Sequence, residues 1–164
     1  VFCKMLPYDG TPIKETLMAQ GRFNGDVCNP DYDFLDPRIA RCYEAIGRTV
    51  GEWVRGSDCV AAMINHAWHE VFVMERLFEP GADLVAYKTA LSAVTKFSNN
   101  ILFSVVEEIC DGFREGGGEC QQYSGLGQIR EQILATLVQQ RNRYVYENQS
   151  WLLKGISKQT LVTA

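Results

Sequence analysis

Positive charge is in short supply in this chain of 164 residues: 16 Lys and Arg stand against 20 Asp and Glu, a net charge of −4. That balance excludes the basic footprint of a nucleic-acid binder. Long apolar runs are missing too. The longest stretch free of charged side chains, Cys59–His69, is half of the roughly 20 residues a membrane span needs, so no transmembrane segment is expected. With 46% hydrophobic and 22% charged residues, a disordered chain is excluded as well. Repeats and low-complexity segments are absent, and no run alternates convincingly enough for a sheet.

What is present in quantity is cysteine. Cys3, Cys28, Cys42, Cys59, Cys110 and Cys120 form an even set without the short spacings of zinc ribbons and without a CxxC redox pair. Cys3, Cys28 and Cys120 sit among Gly, Pro and Asn residues, where bridge ends are expected rather than core filler. The chain begins at Val1 and carries a glycosylation sequon at Asn148-Gln149-Ser150. These features together predict a secreted protein, or one of the secretory-pathway lumen, with all six cysteines in disulfides and Asn148 glycosylated.

The chain reads as one domain in three stretches. Residues 1–35 form an irregular N-terminal arm, broken by Pro7, Gly10, Gly21, Gly25 and Pro30, with a short helix opening at Thr11-Pro12. Its acids Asp26, Asp31, Asp33 and Asp36 lack the spacing of an EF-hand and read as a solvated loop. Residues 36–148 carry four long helical periods. Asp36 caps the first, with Ile39, Cys42, Tyr43, Ile46, Val50, Trp53 and Val54 on its apolar face and Gly56 as its stop. Ser57 is expected to cap the second, Cys59–Phe78, which is apolar nearly all round and therefore expected to be the central helix.

Pro80-Gly81 separates the third period, Asp83–Phe113, in which Ser98-Asn99-Asn100 invites a kink. After the glycine loop at 116–118, the fourth runs from about Gln128 to Glu147 with Ile129, Ile133, Leu137 and Tyr144 inward. Residues 149–164 form an apolar tail. The fold class expected is all-α: an antiparallel four-helix bundle-like domain with a disulfide-pinned arm. Up-down alternation then places Cys59, Cys110 and Cys120 at one end and Cys42 at the other, favouring Cys59 paired with Cys110 or Cys120.

Candidate sites are few. His66 and His69 lie one turn apart, followed by Glu70, which suggests a metal-dependent hydrolase, yet neither HExxH nor HxxEH is matched. No GxSxG elbow exists, and Ser124-Gly125-Leu126-Gly127 lacks the Lys of a P-loop. Glu107 and Glu108, being adjacent on a helix, diverge too far for a paired acid/base site. Trp53, Trp68, Phe72, Phe78, Tyr87, Phe97 and Phe103 suggest a carrier with a small apolar ligand between the second and third helices. The favoured expectation is binding without a cofactor: a protein-interaction or self-assembly subunit acting through Tyr123, Arg141, Arg143, Tyr144, Tyr146, Trp151, Leu152 and Leu153, since Tyr and Arg are enriched at interface hot spots.

Overall fold

The computed structural model describes residues 4–77, 84–116 and 125–148. They form five helices: α1 (Pro12–Ala19), α2 (Pro37–Val54), α3 (Val60–Leu77), α4 (Leu84–Arg114) and α5 (Leu126–Glu147). The fold is all-helical; among the described residues the extended pairing amounts to one isolated antiparallel bridge between Phe23 and Tyr32. No helix among them is long and apolar enough to cross a membrane. The chain divides into two compact units, Val1–Arg48 with Glu108–Cys120, and Thr49–Glu107 with Gln121–Ala164. The arm expected to stop at residue 35 therefore groups with the first part of α2 and the last turns of α4.

The first unit begins with Pro12 at the start of α1 and Gly21 beyond its end, at φ +64°, as the sequence predicts. Leu17 is its buried contact. The acidic residues of the arm do separate jobs. Asp26 Oδ1 accepts from the backbone N–H groups of Cys28 and Asn29 at 2.8 and 2.7 Å. Asp36 Oδ1 accepts from the Arg38 N–H at 2.8 Å, the N-cap bond of α2. The chain turns back on itself through Asn24 N–H to Asp31 carbonyl at 3.0 Å and Asp33 N–H to Arg22 carbonyl at 2.8 Å. Gly25 permits this turn: a Cβ there would collide with the backbone of Asn29 and Asp31 and come within 2.6 Å of Pro30 Cα.

Lys4 fastens the arm. Its ammonium donates to Asp31 Oδ1 and to the Tyr32 carbonyl, both at 2.8 Å. It also stands 5.2, 4.9 and 5.8 Å from the ring centroids of Tyr32, Phe34 and Tyr43. Tyr43 belongs to α2, so a cation in an aromatic cage ties the arm to a helix. The hydrogen bond from Lys4, helped by a backbone hydrogen bond at Tyr32, holds the Asp31 carboxyl below its ordinary pKa.

The second unit packs four helical pieces around one core: Trp53 from α2; Val60, Ile64, Ala67 and Val71 from α3; Tyr87 and Leu91 from α4; Ile133, Leu137 and Tyr144 from α5. This is a bundle-like packing. Contrary to the all-round apolar reading of α3, one stripe is buried and Phe72 on the other side is 51% exposed. The cap of α3 also differs. Gly56 ends the preceding turn at φ +99°, but Cys59, not Ser57, occupies the N-cap, its sulfur accepting the Ala62 N–H at 3.3 Å. Ser57 lies two residues too early for a helix that starts at Val60.

The helix is not split at Ser98-Asn99-Asn100. α4 is a single helix of 31 residues, because Ser98 is buried for a purpose. Its hydroxyl accepts the Trp53 indole N–H at 2.9 Å. One turn earlier, Thr95 Oγ1 accepts the Trp68 indole N–H at 3.1 Å and donates to the Leu91 carbonyl at 2.8 Å.

Two outcomes are expected. Ser98→Ala leaves the buried Trp53 N–H without its acceptor and destabilises the protein by about 1–3 kcal/mol, measured by chemical denaturation followed through tryptophan fluorescence. Lys4→Met loosens the arm, seen as faster proteolytic cleavage between residues 20 and 36. In the wild type, the Asp31 contribution is complete above the ordinary carboxylate pKa of about 3.9. It is lost as pH falls through the lower folded value, so hydrogen exchange in the arm rises there first.

Candidate functional site

α5 presents two different faces. Ile133, Leu137 and Tyr144 point into the core, and Arg141 reaches across to α3, its Nε 2.9 Å from both carboxylate oxygens of Glu70. On the outer side two rows run along the helix at four-residue steps. One is Leu134, Val138, Asn142 and Tyr146; the other is Glu131, Ala135, Gln139, Arg143 and Glu147. Leu134, Ala135, Val138, Gln139, Asn142, Arg143 and Tyr146 together line a shallow, mainly apolar trough. Val138 is 48% exposed and Tyr146 80%.

Of the expected partner-binding residues, Tyr146 and Arg143 are on this face. Arg143 pairs with Glu147 at 2.8 Å, which raises its pKa above the ordinary guanidinium value. Tyr144 is a core residue, 7% exposed, because the helix turn that puts Tyr146 outside puts Tyr144 inside. Arg141 is exposed and paired with Glu70 of α3. Tyr123, Trp151, Leu152 and Leu153 lie outside the described residues, as do Cys3, Cys120, Phe78 and Ser124. Asn148 ends α5, its amide donating to the Tyr144 carbonyl at 2.9 Å. Leu134, Ala135, Val138, Gln139 and Asn142 were not singled out by the sequence; the signal is the row of four-residue steps left over once the inward set is removed.

The other candidates do not converge. His66 and His69 are exposed on α3, His69 stacked on Phe72 with ring centroids 6.3 Å apart, and Glu70 is held by Arg141. Among the described residues no group of three His, Cys, Asp or Glu side chains could hold a metal ion. Glu107 and Glu108 are exposed. Of the aromatics proposed as an apolar ligand site, Trp53 and Tyr87 are buried in the core while Phe72, Phe97 and Phe103 are exposed. Between α3 and α4 lies an open groove of ≈330 Å³ lined by Trp68, Ser92, Thr95, Lys96, Asn99, Asn100 and Phe103, a lining half polar in character.

The cysteines are distributed differently from the expected ends of a bundle. Cys42 Sγ and Cys110 Sγ are 3.8 Å apart, so the first part of α2 lies against the end of α4. Up-down alternation sets these two residues at opposite ends; the contact corrects that placement and the favoured pairing of Cys110 with Cys59. The last turns of α4 group with the first part of α2 in the first unit. Cys28 is exposed on the arm and Cys59 is buried at its N-cap.

One further cluster stands at the core end of α5. The rings of Tyr87 and Tyr144 stack at 4.8 Å with 11° between their planes. Both hydroxyls are buried without a hydrogen-bond partner. Burial pushes both phenols above their ordinary pKa, and the Glu70 carboxylate adds to the effect at Tyr87. Comparisons with protein-family models, with curated proteins and with solved structures find no match to this chain.

For the tyrosine pair, the phenolate is disfavoured in the folded state. Its contribution to stability is complete below the ordinary tyrosine pKa of about 10 and is lost as pH rises through the raised folded values. Alkaline titration of tyrosinate absorbance is expected to show the phenols of Tyr87 and Tyr144 ionising last, together with unfolding. Tyr144→Phe removes an unpartnered hydroxyl and is expected to leave stability unchanged or to raise it by up to about 1 kcal/mol, and to remove part of that late step.

Proposed function

We propose that this chain is a secreted, disulfide-braced helical protein that works by binding, as a subunit of an assembly, and that its partner is a second copy meeting it along the outer face of α5. The observation that carries this reading is the shallow apolar trough on the outer side of α5, where Val138 and Tyr146 are exposed beside a half-buried Leu134. In an antiparallel pairing of two α5 helices the trough of each copy lies on the trough of the other. A two-fold interface requires this kind of complementarity of a surface with itself. The apolar trough supplies the buried middle, and the polar side chains at its edge, Arg143 among them, supply the rim.

The apolar residues Trp151, Leu152 and Leu153 follow α5 in sequence and extend the proposed contact. The remaining cysteines and a glycan on Asn148 belong to the same proposal of an oxidising compartment. No specific observation favours the carrier or the hydrolase.

Sedimentation velocity over a range of concentrations tests the assembly. The wild type is expected to show twice the mass of the chain, and Val138→Glu to return it to a monomer with unchanged helicity and melting temperature. Tyr146→Ala is expected to weaken association about tenfold, corresponding to roughly 1.4 kcal/mol. Deletion of residues from Trp151 onward is expected to weaken it also. A wild type that stays monomeric throughout, or a Val138→Glu variant that still pairs, overturns the reading.

A further inference from the structure

Six cysteines are present, and the structure brings two of them together from distant parts of the sequence. Cys42 lies on α2 and Cys110 on α4, 68 residues apart, half-buried, with their sulfurs in van der Waals contact at 3.8 Å. Both belong to the same compact unit, and both are inside helices, so their Cα–Cβ directions are set by regular backbone rather than by a loop. A disulfide needs sulfurs at about 2.05 Å. The approach still required is under about 2 Å, within reach of side-chain rotation and a small shift of either helix.

The other described cysteines have different roles. Cys59 is buried and its sulfur caps α3 through the Ala62 N–H; Cys28 is exposed on the arm. From this geometry we infer that Cys42 and Cys110 are the two ends of a disulfide that ties α2 to α4. The bond forms by exchange with a low-molecular-weight disulfide such as oxidised glutathione. The thiolate of one cysteine attacks that disulfide, giving a mixed disulfide and releasing one thiol. The thiolate of the other then attacks the protein sulfur of the mixed disulfide and releases the second thiol. The protein loses two protons and two electrons, and the small disulfide becomes two thiols.

The consequence is mechanical. Among the described residues the Lys4 cage, which is non-covalent, reaches α2 through Tyr43. A bond from Cys42 to Cys110 fixes that part of α2 to the end of α4, the two helical segments around which the unit is built. It also closes a long loop in the unfolded chain, so it stabilises chiefly by restricting the unfolded state. This inference does not rest on the α5 interface, and the substitutions that test that interface leave both cysteines untouched.

The test uses the full chain equilibrated in glutathione buffers of graded ratio, quenched by alkylation, digested without reduction and mapped by mass spectrometry. The expected result is a Cys42 peptide linked to a Cys110 peptide, two hydrogens lighter than the sum of its parts. The oxidised protein is expected to melt on the order of 10 °C above the reduced one, and Cys110→Ser to abolish both the link and that difference. The peptide map of the wild type stands alone if the variant fails to fold. A link from Cys42 or Cys110 to any other cysteine, or both thiols alkylated at every ratio, overturns the inference; a link without a rise in melting temperature overturns its bracing role.

Discussion

One turn of α4 receives two indole N–H groups from two other helices. Trp53 of α2 donates to Ser98, and Trp68 of α3 donates to Thr95, three residues earlier. Each tryptophan brings a large apolar ring to the core together with a polar atom that is costly to bury alone. The two hydroxyls settle both requirements at fixed positions along one helix, which sets where α2 and α3 meet it. Apolar contact is non-directional and by itself tolerates sliding; two directional bonds on one turn do not. Both compact units draw residues from α4, so the continuity of this helix underlies everything else described.

The first unit is held by different physics. Few large apolar side chains of the arm are buried: Leu17 and Pro7 are, while Met5, Leu6, Met18, Val27 and Leu35 are exposed. In place of a core the arm uses polar backbone closure around Asp26, Asp33 and Gly25, and a lysine surrounded by three aromatic rings. A cation near the ring faces of Tyr32, Phe34 and Tyr43 gains from each quadrupole and still keeps a carboxylate and a carbonyl as hydrogen-bond acceptors. Such contacts act over short range. Where hydrophobic burial is thin, a covalent tie between the helices of that unit has most to add.

The helices were legible because their signals are local. Pro12, Gly21, Asp36 and Gly56 mark ends through backbone geometry and capping that need no partner, and the inward set Ile133, Leu137 and Tyr144 follows from period alone. Two misreadings share one cause, which is tertiary override of a local preference. Ser98 is a poor helix former in isolation, yet a buried indole makes its hydroxyl an asset. Cys59 serves as a cap although cysteine is not a usual one, and the helix starts where that sulfur can accept an N–H. The end-to-end placement of Cys42 and Cys110 failed because it rested on up-down alternation of four helices in one bundle, whereas both residues belong to the first unit. The binding face was half visible. Tyr146 and Arg143 stood out by residue type, whereas Val138 and Ala135 look ordinary until the helix is seen to have one side already occupied.

That division of α5 bears directly on function. A helix that only completes a core has one apolar stripe and a charged remainder. α5 has a second apolar row, separated from the first by residues already committed elsewhere: Arg141 is spent on Glu70, and Arg130 lies 3.7 Å from Glu52. These ion pairs draw polar side chains toward neighbouring helices and leave Val138 and Tyr146 unscreened. A large, weakly flexible ring that is 80% exposed gains little in water, but on an interface it contributes broad contact area at low entropic cost. Two faces of one helix then answer to two constraints, the inner one to packing within the chain and the outer one to association between chains.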